Sequence, residues 1–344
     1  MKTVTVCASK TYDIHIGPKL LPKLGLYARE IRKADKVCIV SDSNVWPLYG
    51  QIAKNALESS GFEVISYVFP QGETSKNGAT LLDLLNTLAL AGLTRSDLLV
   101  ALGGGVVGDL AGFAAAVYLR GVAFIQVPTT LLAAVDSSVG GKTAIDLPAG
   151  KNLAGAFYQP SLVLCDTDTL ATLPEQVFRD GCAEVIKYAI LYDPELFALL
   201  ERNGLAFPQE EVIARCVAHK ARVVALDEFD TGERMKLNLG HTVGHGIEAA
   251  SQFSVSHGRA VATGMAIAAR SWGCPDAQRI EGLLKIFGLP VNTDYSAQEL
   301  YHFTLSDKKR SAKGISLILP DAIGSCRMEA LPLTQLQSFI EAGL

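Results

Sequence analysis

Three of the chain's six histidines lie in one short tract punctuated by glycines and other small residues. They are His241, His245 and His257. His241 and His245 are four residues apart, so a helix would place them on one face, one turn apart. Imidazole binds zinc or cobalt, and it is also the usual proton carrier near neutral pH. The tract therefore predicts a dedicated site, and its spacing fits either two ligands or one ligand beside an acid–base residue.

An acidic residue on an earlier segment offers a further metal ligand. Glu184 precedes Lys187 by three residues in a stretch typical of a helix. The ordinary interpretation is a surface ion pair worth about 0.2–0.5 kcal/mol. In the alternative, Glu184 joins two of the histidines around a divalent ion. Two His and one Glu form the donor set of a catalytic zinc site, not a structural one.

A glycine-rich turn provides the second candidate site. The segment Gly103-Gly-Gly-Val-Val-Gly108 follows an apolar run and precedes a helical pattern. In that context Gly-x-Gly-x-x-Gly favours a dinucleotide over a plain turn, because bare backbone amides can approach a pyrophosphate. No acid stands at the usual distance downstream, so the segment is not an orthodox Rossmann fingerprint.

Lysines on glycine turns indicate an anionic ligand. Gly140-Gly-Lys142-Thr is similar to the end of a P-loop, but Asp136 stands where that motif needs glycine. A loop lysine is usually just solvated, yet Lys142 and Lys151 both follow glycine turns. Other cations lie near the unusual segments and suit a substrate with phosphate and carboxylate groups. They are Arg120, Lys220, Arg234, Lys308 and Lys309.

The first half of the chain alternates strands with helices, which predicts a doubly wound α/β sheet with ligands at the carboxyl ends of its strands. The predicted strands are 36–42, 62–69, 97–103 and 122–128, and the first helices are 47–60 and 76–90. Later segments read as helices at 174–201, 210–227, 238–251, 257–272 and 276–287, with one strand at 315–319. We predict a Rossmann-like α/β domain over 1–165 and a helical metal-binding domain over 166–344.

Composition narrows the classes of protein. At 344 residues, 49% hydrophobic and 19% charged, the chain fits a well-packed protein of two domains. A net charge of −4 gives no basic field for nucleic acid or an anionic membrane. The seven scattered cysteines contain no Cys-x-x-Cys pair, as expected in a reducing compartment. Without a signal-peptide pattern or a run that could span a bilayer, we expect a cytoplasmic, soluble protein.

Taken together, these segments resemble the 3-dehydroquinate synthases, a family of the sugar-phosphate cyclase superfamily. The resemblance covers nearly the whole chain in order, and the tract from 103 to 188 is highly specific. Its segments are 103–113, Arg120-Gly, 126–143, 150–160, Ala183-Glu-Val-Ile-Lys-Tyr188, Leu237-Asn-Leu-Gly-His-Thr-Val-Gly-His245, Ser256-His-Gly and Asp307-Lys-Lys309.

The resemblance implies an NAD-binding α/β domain, a helical metal domain, an active site in the cleft between them, and a homodimer. It implies that Glu184, His241 and His257 hold zinc or cobalt, while His245 handles protons nearby. The NAD contacts would be Asp42, Glu73, Lys76, Gly104, Gly105, Asp109, Thr129, Thr130, Lys151 and Thr172. The substrate contacts would be Arg120, Asp136, Lys142, Asn152, Lys187, Lys220, Arg234, Asn238, Lys308 and Lys309, with Lys142, Lys187, Arg234 and Asn238 joining His245 in catalysis.

The implied reaction converts 3-deoxy-D-arabino-heptulosonate 7-phosphate to 3-dehydroquinate and phosphate in the shikimate route. It proceeds by transient oxidation with NAD, phosphate elimination, reduction and an internal aldol closure. The metal would acidify the hydroxyl that is oxidised. Holding a flexible polyanion in reactive geometry explains many cations and few bases. The alternatives are another sugar-phosphate cyclase, an NAD- and metal-dependent polyol dehydrogenase, and a non-catalytic nucleotide-binding protein.

Three positions depart from the family's pattern. Arg259 stands where an acid is usual, Asp230 where Glu is common, and Leu239 where Phe is common. Arg259 changes the charge beside the third implied metal ligand. None of the three removes an implied ligand or substrate cation.

Overall fold

The computed structural model describes residues 1–304, 310–311 and 314–344. Its strands are β1 Lys2–Cys7, β2 Thr11–Gly17, β3 Lys36–Asp42, β4 Glu63–Phe69, β5 Leu98–Gly103, β6 Ala123–Pro128, β7 Lys142–Leu147, β8 Gly150–Phe157, β9 Leu162–Asp166, β10 Arg310–Ser311, β11 Gly314–Ala322 and β12 Ser325–Leu331. Its α-helices are α1 Leu24–Ile31, α2 Gln51–Glu58, α3 Gly78–Leu90, α4 Gly105–Val117, α5 Glu175–Tyr192, α6 Pro194–Asn203, α7 Gln209–Leu226, α8 His241–Ala250, α9 His257–Trp272, α10 Ala277–Ile286, α11 Ala297–Thr304 and α12 Leu333–Gly343.

The chain forms two compact units. The first comprises Met1–Leu173 and Gln209–Phe229, and the second comprises Pro174–Pro208 and Asp230–Leu344. The sequence pattern placed one boundary near residue 165 and assigned everything after it to the helical domain. In the structure, α7 packs against β1 and β2 and therefore belongs to the first unit. Its apolar face, including Val212, Ile213 and Val217, is fully buried.

The first unit contains a seven-stranded sheet in the order β1-β2-β9-β6-β5-β3-β4. All neighbouring strands are parallel except β1 and β2. Successive side chains of β3 enter opposite cores: Val37 and Ile39 pack with α1 and α2, and Cys38 and Val40 pack with α3 and α4. The predicted doubly wound fold is thus confirmed. Strand order reverses between β3 and β5, where such sheets bind ligands beyond the strand carboxyl ends.

The sequence patterns do not predict two β-hairpins that the structure contains. The β1–β2 hairpin lies at the edge of the large sheet, and β7 and β8 pair only with each other. Strand β1 has one buried position, β8 has none, and β7 has only two that are separated by a partly exposed residue, so these strands do not form apolar runs. By contrast β5, which is buried at every position, was predicted from its apolar residues alone.

The second unit is helical with one small antiparallel sheet, β10-β11-β12. Its core joins α8, α9, α11 and α12 with β11. The helix predicted over 174–201 is two helices, because Asp193 caps α6 through the Leu196 amide and Pro194 begins it. The single strand predicted over 315–319 has two partners. None of the helices described for this chain combines the length and the hydropathy that a membrane span requires.

Candidate metal centre and cofactor site

Close packing of α8 on α9 brings two histidines together. A Cβ at Gly264 would lie 2.0 Å from the carbonyl oxygen of Gly240, and one at Gly240 would lie 2.6 Å from that of Val261. Gly240 also adopts φ +78°, the left-handed region that favours glycine. The helices therefore meet backbone to backbone. His241 and His257 are their first residues, and the two ring centroids lie 5.2 Å apart.

Glu184 on α5 completes a group of three donors. Its Oε1 lies 3.6 Å from His241 Nε2 and 3.3 Å from His257 Nε2. The three donor atoms all lie within 4.8 Å of one another. Two ligands at usual zinc distances are about 3.3 Å apart at a tetrahedral angle. The spacing and the two-imidazole, one-carboxylate chemistry therefore fit a divalent transition metal.

The Nδ1 atoms of both imidazoles have partners that orient the rings. His241 Nδ1 lies 3.0 Å from the carbonyl oxygen of Leu239, which can only accept a hydrogen bond, so Nδ1 donates to it and Nε2 is the nitrogen that faces Glu184. His257 Nδ1 lies 3.4 Å from Glu248 Oε2. Such partners fix the ring orientation of metal-binding histidines. Glu248 was not predicted, although it follows His245 by three residues and shares its helix face.

Acidic groups dominate the electrostatics of this centre. Burial lowers the pKa of His257, but the carboxylates of Glu184 and Glu248 outweigh it and raise that pKa to about 10. The second oxygen of Glu184 forms an ion pair with Lys187 Nζ, and both side chains are 2% exposed. The local field at the imidazoles therefore favours a positive charge.

His245 lies one turn beyond His241 and outside the donor group. Its ring centroid is 5.6 Å from that of His241 and 6.4 Å from that of His257. Of the three histidines, His241 and His257 place a ring nitrogen in the cluster with Glu184, and His245 lies beside that cluster.

The glycine-rich segment forms the predicted turn, because β5 ends at Gly103 and α4 begins at Gly105. Its glycines serve two purposes. A Cβ at Gly108 would lie 2.6 Å from Gln126 Oε1 on β6, so this glycine permits close packing of α4 on the sheet. The first glycines leave backbone amides bare at the positive end of α4, where anions bind.

Three of the residues predicted to contact NAD meet around one ammonium. Lys76 Nζ lies 2.7 Å from Glu73 Oε1 and 3.2 Å from Asp109 Oδ2, and it donates to Asn152 Oδ1 at 2.8 Å. The Lys76 side chain is 4% exposed. Burial raises the pKa of Asp109 to about 6, although the Lys76 ammonium opposes that shift. Asp146, which was not predicted, lies 3.7 Å from Lys76 Nζ.

The other predicted cofactor residues follow the carboxyl ends of parallel strands. Thr129 donates its amide to the Gly103 carbonyl at 3.0 Å, and its buried hydroxyl has no partner among the described residues. Thr130 lies beside Gly104, and a Cβ at Gly104 would lie 3.0 Å from the Thr130 side chain.

Glu73, Asp42 and Thr172 follow or end other strands of the sheet. Burial raises the pKa of Glu73, but the Lys76 and Lys151 ammonium groups outweigh it and lower that pKa. Asp42 accepts the amides of Asn44 and Val45 after β3, and Thr172, after β9, bonds Tyr49 Oη at 2.6 Å.

The predicted substrate residues divide between the two units. Lys220 on α7 donates to the Asp136 carbonyl at 2.7 Å and pairs with its carboxylate, both in the first unit. Lys142 is exposed at the start of β7. In the second unit, Arg234 is 1% exposed, and Asn238 Nδ2 donates to the Met235 carbonyl at 2.8 Å. Lys308 and Lys309 lie outside the described residues.

Arg120 is not brought to the glycine-rich turn of its own chain. It follows the carboxyl end of α4, whose 13 residues begin at that turn. A helix of that length spans about 20 Å. Arg120 has φ +65°, in the left-handed region, and its side chain is exposed.

Family models match most of the chain. Residues 66–180 match the N-terminal model of 3-dehydroquinate synthase, and residues 181–310 match its C-terminal model. The chain belongs to the 3-dehydroquinate synthase family. A 3-dehydroquinate synthase of Pelobacter propionicus is 46% identical over 353 residues, covering 98% of each chain. One from Caulobacter vibrioides is also 46% identical, covering 94% of each. The predicted family and its enzymatic activity are confirmed.

Solved structures of other sugar-phosphate cyclases share the fold of this 3-dehydroquinate synthase family member. A 2-deoxy-scyllo-inosose synthase complexed with carbaglucose-6-phosphate, NAD+ and Co2+ matches with a TM-score of 0.90 and 28% identity over 100% of both chains. A 2-epi-5-epi-valiolone synthase from Streptomyces hygroscopicus with NAD+ and Zn2+ bound matches at 0.87 and 26% identity over 98% of both. A glycerol dehydrogenase from Schizosaccharomyces pombe, at 0.70 and 18% identity over 99% of this chain and 90% of that one, shares the fold.

The departure at Arg259 is accompanied by an acid from another helix. Asp180 Oδ1 accepts the backbone amide of Arg259 at 3.1 Å and the Ser256 hydroxyl at 2.5 Å. A Cβ at Gly258 would lie 2.0 Å from the Asp180 carbonyl oxygen, so α5 and α9 also touch here. Although residue 259 is basic in this chain, a carboxylate still borders the segment that carries His257.

Proposed function

We propose that the protein converts 3-deoxy-D-arabino-heptulosonate 7-phosphate to 3-dehydroquinate and phosphate, with NAD and a divalent zinc or cobalt ion as cofactors. The convergence of Glu184 Oε1 with two imidazole nitrogens carries this proposal. The solved cyclases with NAD+ and Co2+ or Zn2+ support the same cofactors.

Glu184, His241 and His257 would hold the metal, and the glycine-rich turn with the Lys76 cluster would hold NAD. When bound, NAD would take a hydride from the substrate and return it, and the metal would draw electron density from a substrate hydroxyl. The chain's own contribution is orientation. Leu239 and Glu248 fix the two imidazoles, and the amides at the start of α4 offer donors for a pyrophosphate.

We assign His245 the handling of a proton. Its ring lies beside that of His241 but outside the donor group, so a proton on a ring nitrogen need not compete with metal binding. An imidazole changes charge near neutral pH and suits general acid–base work.

The predicted cations would bind a substrate that carries both a phosphate and a carboxylate. Charge-assisted hydrogen bonds to such groups are short and strong. Asp136, Asn152 and Asn238 would orient the hydroxyl groups of the substrate. The cations that would bind its phosphate and carboxylate are Lys142, Lys187, Lys220, Arg234, Lys308 and Lys309. Lys220 and Asp136 are already paired in the first unit.

We further propose a cytoplasmic homodimer. Arg120 lies at the far end of α4 from the glycine-rich turn of its own chain, so a second copy offers it a role in substrate binding. A dimer mass in solution, with Arg120→Ala raising the substrate KM, is the expected outcome. A monomer of full activity would contradict the dimer.

The activity is tested by mixing the purified protein, NAD and Zn2+ or Co2+ with the heptulosonate phosphate. We expect stoichiometric phosphate and 3-dehydroquinate with no net rise in reduced nicotinamide. Phosphate release only from a hexose 6-phosphate, which lacks the carboxylate, would indicate another sugar-phosphate cyclase. Accumulation of reduced nicotinamide with a simple polyol would indicate a dehydrogenase.

A further inference from the structure

We infer that Asp146 is a positioning residue that fixes Lys76 and Asn152 relative to each other, and so links NAD binding to substrate binding. The inference rests on the proposed roles of Lys76 at the cofactor and Asn152 at the substrate. It adds a residue for which neither the motifs nor the resemblance predicted a role.

Asp146 lies at an irregularity in the β7–β8 hairpin. Ile145 pairs with Ala154 and Leu147 pairs with Gly150, so the register shifts at the residue between them. Such irregularities bend a strand and redirect a side chain. The backbone of Asp146 is also fastened to the segment before α3, because its amide donates to the Lys76 carbonyl at 2.8 Å.

The carboxylate of Asp146 holds the backbone of Asn152. Its Oδ1 accepts the Asn152 amide at 2.8 Å. Asn152 has φ +54°, in the left-handed region that residues other than glycine adopt infrequently. A charged acceptor on this amide stabilises that conformation. The conformation in turn presents Asn152 Oδ1 to Lys76 Nζ at 2.8 Å.

These three hydrogen bonds close a ring. Asp146 binds Lys76 through its backbone and Asn152 through its side chain, and Lys76 and Asn152 bind each other. The ammonium has three hydrogens, and its nearest acceptors are Glu73, Asn152 and Asp109. Asp146 lies farther from Nζ, at 3.7 Å, so its contribution is placement and charge.

The test measures NAD and substrate binding separately in the metal-loaded enzyme. For Asp146→Ala we expect the NAD Kd and the KM for the heptulosonate phosphate each to rise about 5–20-fold, with a smaller change in kcat. Asp146→Asn keeps an oxygen acceptor for the Asn152 amide and should return both constants to within about threefold of wild type.

Asp97→Ala is the matched structural control. Asp97 is a buried acid at the amino end of β5 that accepts the amides of Lys36 and Thr94, away from the strand carboxyl ends. Its loss should lower the unfolding midpoint without altering NAD Kd or KM. If Asp146→Ala behaves in the same way, Asp146 is only structural and the inference is wrong.

A double-mutant cycle with Asn152→Gly tests the route of the effect. Glycine adopts positive φ without strain, so Asp146→Ala should add less than about twofold to KM in that background. If Asp146→Ala alone does not fold, Asn152→Gly should restore folding, and failure to do so would contradict the inference. If Lys76→Met and Asn152→Gly leave NAD Kd and KM unchanged, the proposed roles of those residues fail, whatever Asp146 does.

Discussion

The two units each gather charged side chains around one point, but the points differ in kind. In the first unit, the carboxylates of Glu73, Asp109 and Asp146 surround an ammonium that the chain itself supplies. In the second, one carboxylate and two imidazole nitrogens converge within 4.8 Å. Oxygen acceptors suit an ammonium, whereas mixed nitrogen and oxygen donors suit a transition metal. The chain therefore supplies the cation of the first cluster itself, whereas the second cluster consists of donor atoms that could hold a metal ion.

The clusters also differ in what holds them. Lys76 joins segments that follow different strands, and side-chain pairs connect those segments. The histidines instead start two helices whose backbones touch at Gly240 and Gly264. Removing a side chain from the Lys76 cluster should therefore lower the stability of the first unit. Removing one from the cluster of Glu184, His241 and His257 should mainly abolish metal binding and leave the fold intact.

The largest effect is expected for His241→Ala. Loss of an outer partner of a ligand costs about 10–100-fold in metal affinity, so loss of a ligand should cost more than about a hundredfold. Elemental analysis after dialysis should find little metal, and phosphate release should be undetectable, while the apo protein stays folded. His302→Ala, an exposed histidine on α11, is the control and should retain metal. Retention of stoichiometric metal by His241→Ala would contradict the ligand assignment.

Lys76→Met should lower the free energy of unfolding, and this loss should depend on pH. Lys76 is 4% exposed, but Glu73 and Asp109 are 39% and 21% exposed, so loss of the ammonium should cost less than the roughly 3–5 kcal/mol of a fully buried pair. The pKa of Asp109 is already raised to about 6 from 3.8 and would rise further without the ammonium. An acid whose folded pKa is raised favours folding only while protonated, so the variant should lose stability as pH rises from about 5 to 7. Urea unfolding at both pH values measures this.

The control for that experiment is Lys54→Met. Lys54 forms an exposed pair with Glu58 on α2, and such pairs contribute about 0–1 kcal/mol. A Lys76→Met deficit that is equal at both pH values would show that the acids around Lys76 do not titrate as their burial predicts.

His245→Ala should separate chemistry from metal binding. Because His245 lies outside the donor group, metal content should stay near wild type. Loss of an acid–base residue should lower kcat by about 10²–10⁴-fold. Metal analysis and phosphate release on the same preparation test both parts, and stoichiometric metal loss would place His245 among the ligands.

Glu248→Gln should have the smallest effect of the four. The amide oxygen can still accept a hydrogen bond from His257 Nδ1, but the negative charge is lost. We expect metal affinity to fall about tenfold, and nearer a hundredfold for Glu248→Ala. A competition titration with a chelator measures the metal affinity of both variants. Equal metal affinities in wild type and Glu248→Ala would show that Glu248 does not support metal binding through His257.

The sequence predicted those parts of the fold whose signal is local. Buried strands such as β3 and β5 are apolar runs, and α9 has its predicted bounds. The β7–β8 hairpin and the attachment of α7 to the first unit depend on partners distant in the chain. No local pattern specifies such partners, and periodicity alone could not place α7.

The same distinction holds for the site. The histidine spacing indicated a metal centre, but only the resemblance to a family separated His257 from His245 as a ligand. Glu248 was within reach of prediction, since helical spacing places it on the face of His245. Asp146 was not, because its orientation depends on a register shift between two strands that the sequence did not reveal.

The backbone contact between α8 and α9 has a consequence for protein engineering. Because Gly240 and Gly264 set the positions where the first residues of both helices stand, those positions do not depend on which side chains occupy them. A side chain exchanged at either of the two proposed ligand positions would therefore start from the same place on the backbone. Cysteine and aspartate are shorter than histidine, so either one would widen the gap between donor atoms. A thiolate would also favour softer ions, and a carboxylate would favour harder ones.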